Sequence, residues 1–208
     1  MPKPKLIKRG LLREAKRYYS NLPYHNYNHA LKILKNAELI MKRLHKKFNR
    51  DVVEQAILFH DAGYHLNHKK KGFKNKEELA AKIVKKILTK LNYSSKHIKK
   101  VMKCIIATNI NSKPKSIEEK IVRAADVASM KESYKDFLMD TKKLIKEYEK
   151  LYNIKVDVNK WKKSQEKIIK RYLRQRIKLS KNYYNKKGKS NFHERVKRNL
   201  EKYAKAQI

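Results

Sequence analysis

Cysteine is almost absent from this chain of 208 residues, with Cys104 its only example. No internal disulfide can form, and thiolate-built soft-metal sites and zinc fingers recede with it. Four glycines and four prolines are too little punctuation for a β protein, whose turns draw on both. No apolar run approaches the roughly twenty residues needed to cross a bilayer, and the start Met1-Pro2-Lys3-Pro4-Lys5 leads into none. No repeat of the solenoid kind is visible. Carboxylates are scarce too: nineteen Asp and Glu face fifty-six Lys and Arg, a formal net charge of +37. These absences leave an all-α, soluble, cytoplasmic protein with one core of ordinary size. Cys104, among Val101, Ile105 and Ile106, reads as a packing residue.

What is present is helical periodicity. The spacing predicts helices over 6–19, 27–47, 51–62, 76–91, 95–107, 116–130, 132–152, 160–184 and 191–206. Asn26 is placed to cap the second, Ser94 or Ser95 the fifth, and Ser116-Ile117-Glu118-Glu119 reads as a capping box for the sixth. The loops 63–75 and 108–115 are poor in apolar residues and rich in Lys and Asn, as suits a substrate mouth.

Three of these helices each turn a ligand-type side chain inward. His29 lies on one stripe with Ile33, Ala37, Ile40 and Leu44, His60 on another with Val53, Ala56 and Ile57, and Asp126 on a third with Val122, Ala125 and Ser129. A carboxylate on a core-facing stripe has to be protonated, paired or metal-bound, because an unpaired buried charge costs several kcal/mol. Asp61 follows His60 directly. Each feature alone has a bland explanation: a hydrogen-bonded core histidine, or a His-Asp pair at a helix end with Gly63 as its left-handed terminator. Imidazole and carboxylate together suit a borderline or hard first-row cation, and no Ser or Cys stands beside a base to act as a covalent nucleophile.

The order His29, His60-Asp61, Asp126 resembles the HD-domain superfamily of metal-dependent phosphohydrolases. The wording of Tyr24-His25-Asn26-Tyr27-Asn28-His29 and Phe59-His60-Asp61-Ala62-Gly63-Tyr64 is similar to the group described as predicted metal-dependent HD phosphohydrolases. That group also tends to carry a Glu-Glu-x-small-Ala segment, here Glu77-Glu78-Leu79-Ala80-Ala81. The resemblance covers about residues 15 to 135. It implies an HD-domain helical bundle in which His29, His60, Asp61 and Asp126 ligate one divalent cation, whether Mn, Mg, Co, Ni, Zn or Fe(II), with Asp61 and His60 as the catalytic pair. The implied reaction is hydrolysis of a phosphate ester of a nucleotide or other small phosphorylated molecule by metal-activated water. Expected substrate contacts are His25, Asn26, His65, His68, Glu78 and Arg123, the last one turn before Asp126. Members with two metals carry further histidines between the His-Asp pair and the last aspartate. The candidates here, His65, His68 and His97, read as solvated.

The charge is uneven. Residues 155–208 hold nineteen basic and four acidic side chains, about twice the net density of the rest, interleaved with Trp161, Tyr172, Tyr183, Tyr184, Phe192 and Tyr203. We therefore expect an HD-type domain over 1–154 and a basic helical extension over 155–208. Basic residues track phosphates and aromatic faces stack on bases, so the alternative to a small-molecule enzyme is a nucleic-acid-binding protein with a structural or vestigial metal site, or a nuclease or phosphatase acting on nucleic-acid ends. Against that stands a general enrichment in Lys, Asn, Ile and Tyr, and a packing stripe through Trp161, Ile168, Ile169, Tyr172, Leu173 and Ile177.

Overall fold

The computed structural model describes residues 9–175, 177–180 and 185–206. Among them every regular element is helical: α1 (Arg9–Lys16), α2 (Tyr27–Lys42), α3 (Arg50–Phe59), α4 (Lys76–Lys90), α5 (Ser95–Ile106), α6 (Ile117–Asp126), a 3₁₀ segment (Val127–Lys131), α7 (Tyr134–Tyr152), α8 (Val158–Arg174) and α9 (Asn191–Lys205). The asparagine-rich composition supplies the starts. Side chains of Asn26, Asn49 and Asn75 accept from His29, Val52 and Glu78 backbone N–H groups, and Ser94 accepts from His97. Ser116 accepts from Glu119 N–H as expected, but the Glu119 carboxylate turns outward to Lys115 N–H.

The chain divides into two compact units, Met1–Asp126 and Val127–Ile208. This division falls earlier than the expected boundary at 154, because α7 packs with α9 and the 3₁₀ segment, and Phe137 of α7 shares a core with Ile169, Val196, Leu200 and Tyr203.

In the N-terminal unit α3 is the hub. Every residue from Val52 to Phe59 is buried, and α1, α2, α4, α5 and α6 all pack against this helix. Its two polar members have partners, Glu54 with Arg50 at 2.6 Å and Gln55 with His97 at 2.8 Å. His97 is thus engaged with a core helix instead of solvated. Cys104 is buried, as its apolar neighbours implied.

Several helices are shorter than the periodicity predicted. α2 stops at Lys42, because Lys46 and Lys47 offer no apolar face and Asn49 begins a new cap. α8 stops at Arg174, and Leu179 is buried from the non-helical chain beyond it. The predicted starts at 6–8 and the tail at 181–184, with Tyr183 and Tyr184, lie outside the described residues. In the C-terminal unit the remaining aromatics mostly build core: Tyr203 is buried, Phe192 packs on the cluster, and the Trp161 ring meets Tyr148 edge-on at 5.4 Å. No helix among the described residues is long and apolar enough to cross a membrane.

Candidate metal centre

Three chain segments deliver the site. The Asn26 cap fixes the first turn of α2 and buries His29 there. His60 is the C-cap of α3, where its ring Nδ1 meets the Ile57 carbonyl oxygen at 2.7 Å. That contact makes Nδ1 the N–H donor and leaves Nε2 facing the site, the orientation expected of a ligand histidine held by an outer partner. Asp61 follows in the turn, and Asp126 closes α6. The turn itself depends on Gly63, with φ +78° and an N–H that donates to the Tyr18 carbonyl at 2.8 Å.

His60 Nε2 lies 2.9 Å from Asp61 Oδ2 and 3.5 Å from Asp126 Oδ1, and His29 Nε2 lies 3.8 Å from Asp61 Oδ2. Ligand atoms of His29, His60 and Asp126 all fall within 4.8 Å of one another, the one such group among the described residues. His60 Nε2 and Asp61 Oδ2 are buried and make no hydrogen bond of acceptable geometry. Two buried polar atoms aimed at one point without partners are costly unless a cation or proton lies between them. His29, His60 and Asp126 therefore fit a divalent metal, and the Asp61 carboxylate, outside that group but beside His60 Nε2, adds a second negative charge towards neutralising such an ion.

The electrostatics agree. Burial pulls His29 down to about 4 despite Asp61 nearby, so its imidazole is neutral. For His60 burial acts in the same sense, but Asp61 and Asp126 outweigh it and hold the group well above the ordinary histidine value. Burial alone would raise Asp61, yet the imidazoles of His60, His25 and His29 keep its carboxyl well below the usual range. The pocket favours positive charge at Nε2 of His60.

An aromatic rim surrounds this centre. Tyr24 lies 4.4 Å from the His29 ring, and His25 stacks on Tyr64 with centroids 3.8 Å apart. Lys76, at the start of α4, sets its Nζ 3.1 Å from the Tyr64 ring centroid. Tyr19 donates to the Leu58 carbonyl at 3.0 Å, and its phenol is raised by burial and by Asp61. Tyr24 and Tyr64 stand inside the two motifs with no role legible from sequence, and Tyr19 and Lys76 carry no local signal that ties them to the site.

Other expected substrate contacts are directed elsewhere. Arg123 is fully buried; its Nε donates to the Ala107 carbonyl at 2.7 Å, and its Nη2 donates to the Asn109 and Ser112 carbonyls. It ties the end of α5 and the loop after it together, which corrects the reading of it as a mouth residue. Asn26 is occupied in capping, its amide also donating to the Leu22 carbonyl at 2.8 Å. Glu78 donates its N–H to the Asn75 cap and accepts from Lys74 N–H at 3.0 Å, so its carboxylate is engaged at the start of α4, as that of Glu119 is at the start of α6. His65 is exposed and His68 partly so, and neither joins the ligand group.

The HD-domain family pattern matches residues 26–131, just over half of the chain. The chain belongs to the HD-domain family. A comparison with curated proteins finds no match. Among solved structures this HD domain is similar to the phosphodiesterase domain of the RhoPDE fusion protein from the choanoflagellate Salpingoeca rosetta, with 15% identity and a TM-score of 0.69 over 94% of this chain and 82% of that one. It is similar also to the phosphodiesterase domain in a second crystal structure, of Salpingoeca rosetta rhodopsin phosphodiesterase, with 14% identity and a TM-score of 0.65 over 94% and 79%. At such identities the likeness concerns the fold. HD domains bind divalent metals, and the span of the family match contains His29, His60, Asp61 and Asp126.

Proposed function

We propose that this HD domain is a phosphohydrolase that cleaves a phosphate ester of a nucleotide or related small phosphorylated molecule, with water as nucleophile and one divalent cation held by His29, His60, Asp61 and Asp126. The observation that carries the reading is the convergence of His60 Nε2 and Asp61 Oδ2, both buried and unsatisfied, with Asp126 and His29 completing the ring. When bound, the cation lowers the pKa of water and offsets charge on the phosphoryl oxygens. Asp61, kept ionised by its imidazole neighbours, would orient the attacking water by accepting a hydrogen bond from it at a carboxylate oxygen. The Ile57 carbonyl holds the His60 ring so that Nε2 stays on the site. Lys76 over Tyr64 brings a cation near the rim, where it attracts the phosphate.

The test begins with metal analysis of the purified protein and continues with a phosphate-release screen over nucleotides, other monoesters and diesters, each with Mn, Mg, Co, Ni, Zn and Fe(II). Hydrolysis in oxygen-18 water at enzyme excess should place label in the released phosphate or phosphomonoester. No cleavage under any of these metals would overturn the reading.

A further inference from the structure

The C-terminal unit carries two neighbouring clefts whose linings meet at one residue. The first, of about 360 Å³, lies between the start of α7 at Ser133-Tyr134 and the face of α9 that presents Arg195, Arg198 and Lys202. Spacings of three and four put those three cations on one helix face, over roughly 10 Å of its axis. The second, of about 840 Å³, takes Arg174 from the end of α8, Lys187 and Lys189 from the loop before α9, and Lys197. Arg198 lines both.

The carboxylates cancel only part of this charge, and both clefts stay net positive. Glu132 is the single acid on the first cleft. On the second, Glu201 pairs with Lys197 at 3.6 Å and Glu194 accepts from the Asn185 amide at 3.2 Å. Arg195 and Arg198 make no ion pair or hydrogen bond among the described residues, so their planar donor forks are presented to solvent. Within the first cleft the Tyr134 hydroxyl is buried and lacks a hydrogen-bond partner. A mononucleotide would fill one cleft and leave the other. A chain of phosphates occupies both and crosses Arg198 between them.

We propose that α9, with the start of α7 and the end of α8, forms a track for the phosphodiester backbone of a nucleic-acid strand, centred on Arg198. The inference is independent of hydrolysis, since it concerns the C-terminal unit alone.

The test measures binding of fluorescein-labelled oligo-uridylate RNA and oligo-thymidylate DNA to the full chain by anisotropy, in EDTA so that metal-dependent chemistry plays no part. Arg195→Gln/Arg198→Gln removes two charges at exposed positions. The matched control, Lys85→Gln/Lys86→Gln, removes two exposed charges from α4. The expected result is a loss of about tenfold for the arginine pair on either strand, with the log-log salt slope shallower by about 0.7 per lost contact, and less than about twofold for the control. The tighter of the two strands names the source. Should the double variant misfold by circular dichroism, Lys202→Gln on the same face reads the same track and should weaken binding by about threefold. An equal loss in the control would show diffuse attraction and overturn the track, as would unchanged affinity in the α9 variants. ATP binding as tightly as the strands would overturn the polymer in favour of a nucleotide.

Discussion

His60 Nε2 stands 2.9 Å from Asp61 Oδ2, and neither atom makes a satisfactory hydrogen bond. Adjacent residues rarely point their side chains at one another. Here the end of α3 and the tight turn at Gly63 require it.

If this pair and its two neighbours share one cation, the protein should bind about one equivalent of divalent metal by calorimetry or elemental analysis. Asp126→Ala or His60→Ala should abolish binding while helicity is retained, and Asp61→Ala should remove activity as fully. Stoichiometric binding by the Asp126→Ala protein would remove that residue from the centre, and two equivalents in the wild type would reopen the dinuclear arrangement.

Without metal, the same histidines give stability a maximum in pH. His29 has a folded value near 4, below the unfolded value of about 6.5, so its contribution is complete above pH 6.5 and is lost, by up to about 3 kcal/mol, as pH falls towards 4. His60 has a raised folded value, so its contribution is complete below pH 6.5 and is lost as pH rises through that folded value. Urea midpoints in EDTA across pH 4 to 9 should therefore peak near about 6.5. His29→Gln should flatten the acid limb and His60→Gln the alkaline one; a profile unchanged by both substitutions would contradict the assignment.

Arg123→Ala should cost about 3 kcal/mol in urea denaturation, because it leaves the buried Ala107 carbonyl and the half-buried Asn109 carbonyl without their donor. Metal affinity of the folded fraction should survive. A turnover defect with unchanged stability would instead restore Arg123 to the substrate.

Gly63→Ala places a methyl group at positive φ and 2.8 Å from Ile83 Cδ1. The expected loss is about 1–3 kcal/mol, with weaker metal binding because the strain sits two residues from Asp61. Equal thermal stability and equal metal affinity in the variant would show that the turn tolerates a side chain.

Cys104 is buried and its thiol is pushed well above the ordinary value by that burial. Native protein should react with Ellman's reagent only at the rate of unfolding, and one thiol should appear at once in guanidinium. A fast native reaction would place the residue at the surface.

The proposed ligand positions were legible because His29, His60 and Asp126 each fall on an apolar stripe, and a stripe is a local property of the chain. His29, His60 and Asp126 could be read that way before any fold was known. Arg123 could not. Its acceptors are backbone carbonyls of another helix and loop, and charge alone argued for the outside. The helix starts were legible from single Asn and Ser caps, whereas the end of α8 was not, since nothing in its periodicity announces that Leu179 is buried from non-helical chain. The division after Asp126 was not legible for a related reason: Phe137 belongs to a core completed some sixty residues later. The Tyr24, His25, Tyr64 and Lys76 rim depends on how the 60–75 turn folds, so its members were visible and their association was not.

The burial of α3 on all its sides has a consequence for how such a domain can diverge. A helix enclosed from Val52 to Phe59 cannot slide or rotate without disturbing five neighbours, so His60 at its end is anchored as firmly as the interior itself. The rim has no such constraint, because Tyr64 and Lys76 hang from a turn and from the first residue of a helix. On the proposed function, drift in substrate preference has an inexpensive route through the rim, while exchange of a proposed ligand requires rebuilding the middle of the bundle.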